Sequence, residues 1–103
     1  MASTLERRLE LHEMLSSICE NCEFEPPASI QLEYPCILYS RSNNITDHAN
    51  NNPYRITTRY TVTVVDPDPD SEIVPQLEQL PMCTYDRHFE VDGLNHDIFT
   101  IYY

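Results

Sequence analysis

The chain has 103 residues, enough for one compact domain and too few for two, so we expect a single domain over residues 1–103. Its charge is unusual, because 17 acidic residues oppose six arginines and no lysine, which gives a formal net charge of −11. A surface of that sign repels phosphates, which argues against a conventional nucleic-acid reader or a protein of anionic membranes. The single glycine excludes glycine-dependent phosphate loops, including the Walker and dinucleotide fingerprints.

The chain also lacks the sequence signals of a membrane or secreted protein. No apolar run approaches the roughly 20 residues of a membrane span, and the N-terminal segment MASTLERRLELHEM has no apolar stretch typical of a signal peptide. Four cysteines are too few and too scattered for a secreted disulfide scaffold. These features predict a cytosolic chain.

The first predicted element is an amphipathic helix over residues 3–22. Ser3 stands three residues before Glu6, the spacing of a capping box. One side of this helix is polar at steps of three and four residues, and the other side is widely apolar. The polar positions are Glu6, Glu10, Glu13, Ser17 and Glu20.

Two strands and a long loop are predicted next. A strand is predicted over residues 30–40: residues 30–34 alternate in character, and residues 36–39 are an apolar run. Pro35 between them marks an edge, a bulge or a break between two short strands. Residues 41–53 form a polar loop of a length that is often functional. Residues 54–66 alternate without interruption and would span about 40 Å, so we expect this strand to bend or to project from the body.

The second half of the chain predicts a short helix and a hairpin. The helix covers about residues 71–80 and has Pro75 in its first turn. Strands over residues 83–91 and 96–103 flank the Asp92-Gly93 turn signal. The last strand is apolar on both faces, which predicts cover from both sides, by helices or by another subunit. The fold class is therefore α+β: an N-terminal helix and one short helix packed on an antiparallel or mixed sheet of four to five strands, with a long strand hairpin.

The cysteines and histidines offer several metal or redox sites, each with a plainer alternative. Cys19-x-x-Cys22 lies on the apolar side of the first helix among glutamates, which favours two cysteines packed in the core. The alternatives are a redox pair and part of a zinc site, to which His12 could add a ligand. His88 and His96 face each other across the hairpin in some registers and could bind a metal or sense pH, but two surface imidazoles are favoured.

The three alternating aspartates Asp66, Asp68 and Asp70 resemble a calcium loop without its glycine. A turn and helix cap is the favoured interpretation, since the intervening prolines fix the backbone. No serine or cysteine has a base placed near it by spacing. We therefore expect no enzyme, no catalytic or cofactor-binding residues and no metal ligands.

Arg55 and Arg59 carry two of the six positive charges, on the polar face of the longest predicted strand. They are either part of an exposed face rich in threonine or the places where a neighbour's carboxylates dock. These two arginines and the last strand, which is apolar on both faces, form the predicted subunit interface. Its residues are Arg55, Arg59, Ile98, Phe99, Ile101, Tyr102 and Tyr103.

Several short segments of the sequence resemble the small tail-terminator and head–tail joining proteins of tailed, siphovirus-type bacteriophages, especially those of Gram-positive hosts. The resemblance covers roughly residues 30–103. The segments are Tyr34-Pro35-x-Ile37-x-Tyr39, Tyr60-Thr61-Val62-Thr63-Val64, Asp68-Pro69-Asp70-Ser71-Glu72-Ile73, Leu80-Pro81 and Asp92-Gly93-Leu94-Asn95-His96-Asp97-Ile98-Phe99-Thr100-Ile101-Tyr102-Tyr103.

The resemblance implies a structural virion protein at the neck. Such proteins have a helix, a long strand hairpin, a second helix on the sheet and final strands. They form a sixfold ring that caps the tail tube, stops its growth and meets the head connector. The implied partners are further copies of the chain, the tail tube protein and the head-closure or connector protein, with DNA passing the lumen unbound. A head-closure or other neck protein is the alternative within this class. A small acidic inhibitor or DNA mimic is the alternative from another class, and a small metal-dependent enzyme ranks last.

Overall fold

A computed structural model describes residues 4–42 and 58–103. Within these ranges, two helices pack on a mixed five-stranded sheet, which confirms the predicted α+β class. The elements are α1 (Thr4–Ile18), β1 (Cys22–Phe24), β2 (Cys36–Arg41), β3 (Arg59–Asp66), α2 (Ile73–Glu78), β4 (Cys83–Val91) and β5 (Leu94–Tyr102).

The strands of the sheet lie in the order β1-β2-β3-β5-β4. The short strand β1 pairs parallel with β2, and every other neighbouring pair is antiparallel. The last strand, β5, therefore lies between β3 and β4, and β4 becomes an edge. In this arrangement every residue of β5 is buried or partly buried, whereas eight of the nine residues of β4, at the border, are exposed.

The core lies between the helices and one face of the sheet. Alternation along β3 directs Tyr60, Val62 and Val64 to this face, where all three are buried. The helix positions spaced for one face supply Leu11 and Leu15 from α1. The buried core cluster consists of Leu11, Leu15, Cys19, Cys22, Ile37, Tyr39, Tyr60, Val62, Val64, Ile73, Leu77, Phe99 and Ile101.

The first helix is shorter than predicted. It ends at Ile18, and the residues up to Cys22, predicted as helix, leave it and lead into β1. Tertiary pairing decides this end, because Ile37 N donates to Asn21 O at 2.8 Å and Cys22 pairs with Ile37. A buried cysteine satisfies the apolar pattern of a helix and of a strand equally well. Ser3, the predicted cap, lies outside the described residues.

The two middle strands also differ from their predicted bounds. The predicted strand over residues 30–40 is formed only from Cys36 onward, so Pro35 marks where it begins, as expected of a residue without an N–H for the ladder. In the described range the next strand begins at Arg59. Residues 54–57, with the predicted bend or projection, and all but the first two residues of the predicted loop 41–53 lie outside the described residues.

The hairpin agrees most closely with prediction. Strand β4 has the predicted bounds, and β5 begins two residues earlier than expected, at Leu94. Asp92 and Gly93 have φ values of 54° and 78°, and Val91 pairs with Leu94, as in a two-residue turn of type I′. The short helix occupies the middle of its predicted range.

One β-bulge changes which side chains of β4 share a face. Tyr85 pairs with Phe99 and Arg87 with Ile98, so Asp86 is an extra residue in β4. A regular strand over the predicted residues 83–91 would place Tyr85 and Arg87 on one face, and this expectation is wrong. Tyr85 and His88 share the helix side of the sheet, whereas Arg87 lies on the opposite side.

Candidate functional site

The edge strand β4 is the most exposed regular element of the described chain. Eight of its nine residues are exposed, and only Cys83 is partly buried. Large apolar side chains are among them, with Tyr85 42%, Phe89 37% and Val91 48% exposed. Because one side of β4 pairs with β5, the backbone N–H and C=O groups of its other side have no strand partner in the described residues.

The sheet face opposite the helices continues this surface. Ile98 and Thr100 of β5, with Thr63 of β3 beside them, are partly exposed there, and no helix of the described residues covers them. Near β4, the ring of His96 stacks on Phe89 at a centroid distance of 4.8 Å. The guanidinium of Arg87 lies 5.9 Å from the Phe89 ring centroid. This open face therefore carries a mixture of apolar, aromatic and hydroxyl side chains.

The structure divides the arginines and tyrosines of the predicted interface. Arg55 lies outside the described residues. Arg59 begins β3 beside Tyr102, and its buried Nε has no hydrogen-bond partner in the described part of the chain. Tyr102 is partly exposed on the open face. Tyr103 lies on the helix side, where it packs against the core and the Arg7 guanidinium lies 4.7 Å from its ring centroid.

The apolar residues of the same prediction are divided as well. Ile98 is partly exposed on the open face. Phe99 and Ile101, at 0% and 1% exposure, belong to the chain's own core under the helices. They leave no surface for a neighbouring subunit, because successive residues of a strand point to opposite faces and these two point toward the helices.

A polar corner lies at the turn end of the hairpin on the helix side. The buried carboxylate of Asp97 accepts a hydrogen bond of 2.8 Å from the Tyr85 hydroxyl. Loss of solvent, followed by the hydrogen bond and charge of Asp97, raises the pKa of Tyr85 to about 12. Asn95 Nδ2 donates to the carbonyls of Asp66 and Pro67 at 3.2 Å each. These bonds fasten the hairpin turn to the end of β3.

The two histidines of the hairpin do not face each other, so the register in which they could share a metal is not the one observed. His88 pairs with Asp97 and its Nε2 donates to Asn95 Oδ1 at 3.1 Å on the helix side. His96 pairs with Phe89 on the open face. The two-residue turn sets this separation, because it pairs Val91 with Leu94 and therefore His88 with Asp97. A shared metal site of the two imidazoles is excluded.

The cysteines of the CxxC motif lie in the core. Cys19 and Cys22 are 8% and 7% exposed, and both belong to the buried cluster. Burial raises the pKa of the Cys22 thiol to about 11, and burial likewise raises the pKa of Cys36 to about 11. Thiols in this state are poor nucleophiles and behave as small apolar side chains. His12, the possible third ligand, instead shares a hydrogen bond of 2.6 Å with the Tyr39 hydroxyl.

The aspartates after β3 form a turn, as the favoured interpretation predicted. Asp66 Oδ1 accepts from Asp68 N at 2.8 Å, and Asp68 Oδ1 accepts from Asp70 N at 2.9 Å. Ser71 Oγ accepts from Ile73 N at 3.2 Å and so satisfies an N–H at the start of α2. Two of the three carboxylates are thus used by the backbone.

Six acidic residues surround this turn, and we call them the acidic end. Asp66 ends β3 and three more acids follow it, while Glu90 precedes the hairpin turn and Asp92 lies in it. Asn95 joins the hairpin to the end of β3 through its bonds to the Asp66 and Pro67 carbonyls. The acidic end consists of Asp66, Asp68, Asp70, Glu72, Glu90 and Asp92. The strand register and the hairpin bring these six acids into one region.

Arginines collect at the opposite end of the strands. Arg41 ends β2, Arg59 begins β3, and Arg7 Nε donates to Tyr103 O at 3.4 Å. The guanidinium of Arg8 lies 4.3 Å from the centroid of the Phe24 ring. Four of the five described arginines are therefore at this end, and the fifth, Arg87, lies midway along β4.

An open groove of about 550 Å³ lies at this arginine-rich end, and we call it the arginine groove. Its lining combines two guanidinium groups with two apolar walls and one carboxylate, which accepts a 3.1 Å bond from Arg41 N. The lining residues are Leu5, Arg8, Phe24, Glu25 and Arg41. Leu5 is 56% exposed, so much of its apolar side chain faces solvent.

Neither a metal-binding cluster nor a membrane-spanning helix is present among the described residues. No group of three or more His, Cys, Asp or Glu side chains is arranged to hold a metal ion within residues 4–42 and 58–103. None of the helices in the described ranges has the length and apolar character needed to cross a bilayer.

Comparison of the chain with protein-family models, curated proteins and solved structures gives no match.

Sequence reasoning did not identify the acidic end, the arginine groove or the Asp97–Tyr85 bond. Arg8 and Arg41 are 33 positions apart and meet only because β1 pairs with β2 beside the start of α1. The only signal in the sequence was the run of four acids from Asp66 to Glu72. Its position opposite the arginines follows from the strand register.

Proposed function

We propose that this chain is a structural subunit of the head–tail junction of a tailed bacteriophage, and most specifically its tail terminator. In this role, copies of the chain form a ring, a homohexamer, on the tip of the tail tube. The ring stops tube growth and presents a surface to the head-closure or connector protein. The subunit acts through its surfaces and needs no catalytic residue.

The fold is compatible with the resemblance on which this proposal rests. The chain runs from an N-terminal helix through strands to a second helix on the sheet and a final hairpin, in the order implied for that class. Several of the sequence segments that resemble these phage proteins lie in β3, in the turn before α2 and in β5. A head-closure or other neck protein of the same particle has similar requirements and is the alternative within the class.

The observation that carries the proposal is the exposed edge strand β4. A subunit of a closed ring must bind one neighbour on each side through two unlike surfaces. A nine-residue edge with Tyr85, Phe89 and Val91 exposed is a surface that soluble monomers normally shorten or block with charge. The open sheet face adjoins it and enlarges the area available to a neighbour.

The net charge of −11 suits a channel that DNA must pass without being held. Acidic side chains on a lumen wall repel the phosphate backbone, so the strand does not bind on its way through. The protein in this proposal is assembled in the host cytoplasm and belongs to the virion, at the neck of the tail.

The first test is native mass spectrometry over a rising concentration series, followed by negative-stain electron microscopy of the largest species. We expect a hexamer that appears with concentration and an annulus with a central opening. The variant Phe89→Lys/Val91→Lys places two charges on the edge strand and should lower the association constant at least tenfold. Ser29→Lys/Gln31→Lys is the matched control, because it adds the same two charges at exposed positions outside β4 and should assemble like the wild type.

Open filaments, a dimer as the largest species, or equal assembly of the edge variant would each contradict the proposal in its present form. Circular dichroism and thermal melting of the three proteins establish that the variants keep the fold. The expected effect of the two lysines on the melting temperature is small, since both positions are exposed.

The acidic end favours a second candidate function, a small acidic inhibitor that mimics DNA. The five exposed carboxyl groups of the acidic end, all but the buried Asp66, can imitate the phosphates that a DNA-binding protein recognises. Such a protein would stay monomeric or dimeric at all concentrations and would displace duplex DNA from its target. A ring subunit would do neither, so the concentration series separates the two.

A further inference from the structure

The charges of this chain are separated along its strands. Asp66 and Arg59 are the two ends of β3, which has eight residues and spans about 23 Å. This distance exceeds the Debye length of about 8–10 Å at physiological ionic strength. The acidic end and the arginine groove therefore act on a partner as separate surfaces of opposite sign.

We infer that the acidic end of one copy binds the arginine groove of the next copy, in a head-to-tail contact. The inference rests on the proposed function and deepens it, because it assigns the two unlike surfaces that a heterologous contact requires. Two copies that each carry −11 repel one another in most orientations. The orientation that brings guanidinium groups against carboxylates is the one in which charge favours association.

The turn of the acidic end matches the chemistry of the groove. Its exposed tip alternates proline with aspartate, from Pro67 to Asp70. The groove combines the apolar side chains of Leu5 and Phe24 with Arg8 and Arg41, and the Arg8 guanidinium lies over the Phe24 ring. Prolines can contact the walls while carboxylates pair with the arginines. Glu25 also lines the groove and keeps its negative charge while it accepts the Arg41 N–H, so the charges of the lining residues sum to +1.

The turn is also held in a fixed shape before any partner arrives. Two aspartate side chains bond the backbone within it, and Asn95 bonds the carbonyls of Asp66 and Pro67. Two prolines remove further freedom. A preorganised loop loses little conformational entropy on docking, so a modest number of ion pairs is enough to stabilise the contact.

Charge reversal on both sides provides the test. Variant A is Arg41→Glu, and variant B is Asp70→Arg/Glu72→Arg. In variant B the backbone N–H of residue 70 can still donate to Asp68 Oδ1, so the turn keeps this bond. Each variant alone brings like charges together and should associate at least tenfold more weakly than the wild type. An equimolar mixture should associate again, because A offers an intact acidic end to the intact groove of B, and B offers arginines to the new glutamate of A.

Glu13→Arg/Glu78→Arg is the matched control for variant B. It makes the same change in net charge at two exposed positions outside both surfaces. Its association should equal or exceed that of the wild type. Sedimentation velocity at 50 and 500 mM NaCl is the measurement, and the wild-type association should weaken with salt.

Failure of this inference and failure of the proposed function give different results. If the wild type forms rings and either variant does so equally well, or the mixture of A and B stays dissociated, the head-to-tail contact is wrong and the groove serves another partner or none. If association follows the charge-reversal pattern but yields open chains without a ring, the contact stands and the terminator is wrong. A wild type that stays monomeric at every concentration and salt overturns both.

Discussion

The two faces of the sheet are built from the same strands but differ in what covers them. Along β5, Phe99 and Ile101 pack under the helices with almost no exposure, whereas Ile98 and Thr100 between them are partly exposed on the open face. The last strand therefore has an apolar face that stabilises the monomer and a second face that the monomer does not need. In a chain of 103 residues, this difference separates side chains required for folding from side chains available for assembly.

Replacing Phe99 by alanine should break the covered face and give the largest effect. The fully buried ring contacts Tyr85 edge-on at a centroid distance of 5.1 Å. Its removal leaves a cavity and should lower the free energy of unfolding by about 3–5 kcal/mol. Urea denaturation followed by far-UV circular dichroism measures this. A loss below about 1 kcal/mol would mean that the helices do not pack on this residue.

Tyr85→Phe should have an intermediate effect at the polar margin of the covered face. The buried Asp97 carboxylate loses a 2.8 Å hydrogen bond while the ring remains, so we expect a loss of about 1–2 kcal/mol in urea denaturation. Phe89→Tyr, an exposed aromatic change on the same strand, is the control and should be neutral.

The same tyrosine predicts a dependence on pH. Because the folded-state pKa is raised from 10.0 to about 12, its contribution to stability is fully present below pH 10 and is lost as pH rises toward 12. The wild type should therefore lose more stability than Tyr85→Phe between pH 10 and 12. Parallel loss in both proteins would contradict the assignment to this hydroxyl.

Ile98→Ala should have the smallest effect on folding, and it tests directly whether the open face contributes less to stability than the covered face. Ile98 adjoins Phe99 in the chain but points to the open face, so the expected loss is about 0.5–1 kcal/mol. The same protein should associate more weakly in native mass spectrometry if the open face is part of the contact. A loss as large as that of Phe99→Ala would mean that the monomer itself covers this face.

Local sequence patterns were sufficient for most of the elements. The alternation of Tyr60, Val62 and Val64 predicted both the strand and its buried side, and Asp92-Gly93 predicted the hairpin turn. The aspartate turn was also correct, since prolines and Asx bonds act within a few residues. Such features depend on contacts between near neighbours, which a sequence displays directly.

The errors lie where distant segments compete with a local pattern. Cys22 fits the apolar stripe of a helix, but pairing with Ile37 draws it into β1. The extra residue at Asp86 reverses the phase of β4, so that Tyr85 and Arg87 lie on opposite faces although they are two positions apart. Phe99 was expected at an interface, and the helices cover it instead. No residue type or spacing in these segments distinguishes the alternatives.

The sequence by itself determined the α+β class, the hairpin and the excess of acidic charge, because periodicity, turn residues and composition are local or additive properties. Tertiary structure decided the strand order that leaves β4 at an edge, the arginine groove and the acidic end opposite it. These features join residues far apart in the chain, and their positions follow from register and packing. The physical reason is that free energy selects one global arrangement among many that satisfy the same local preferences.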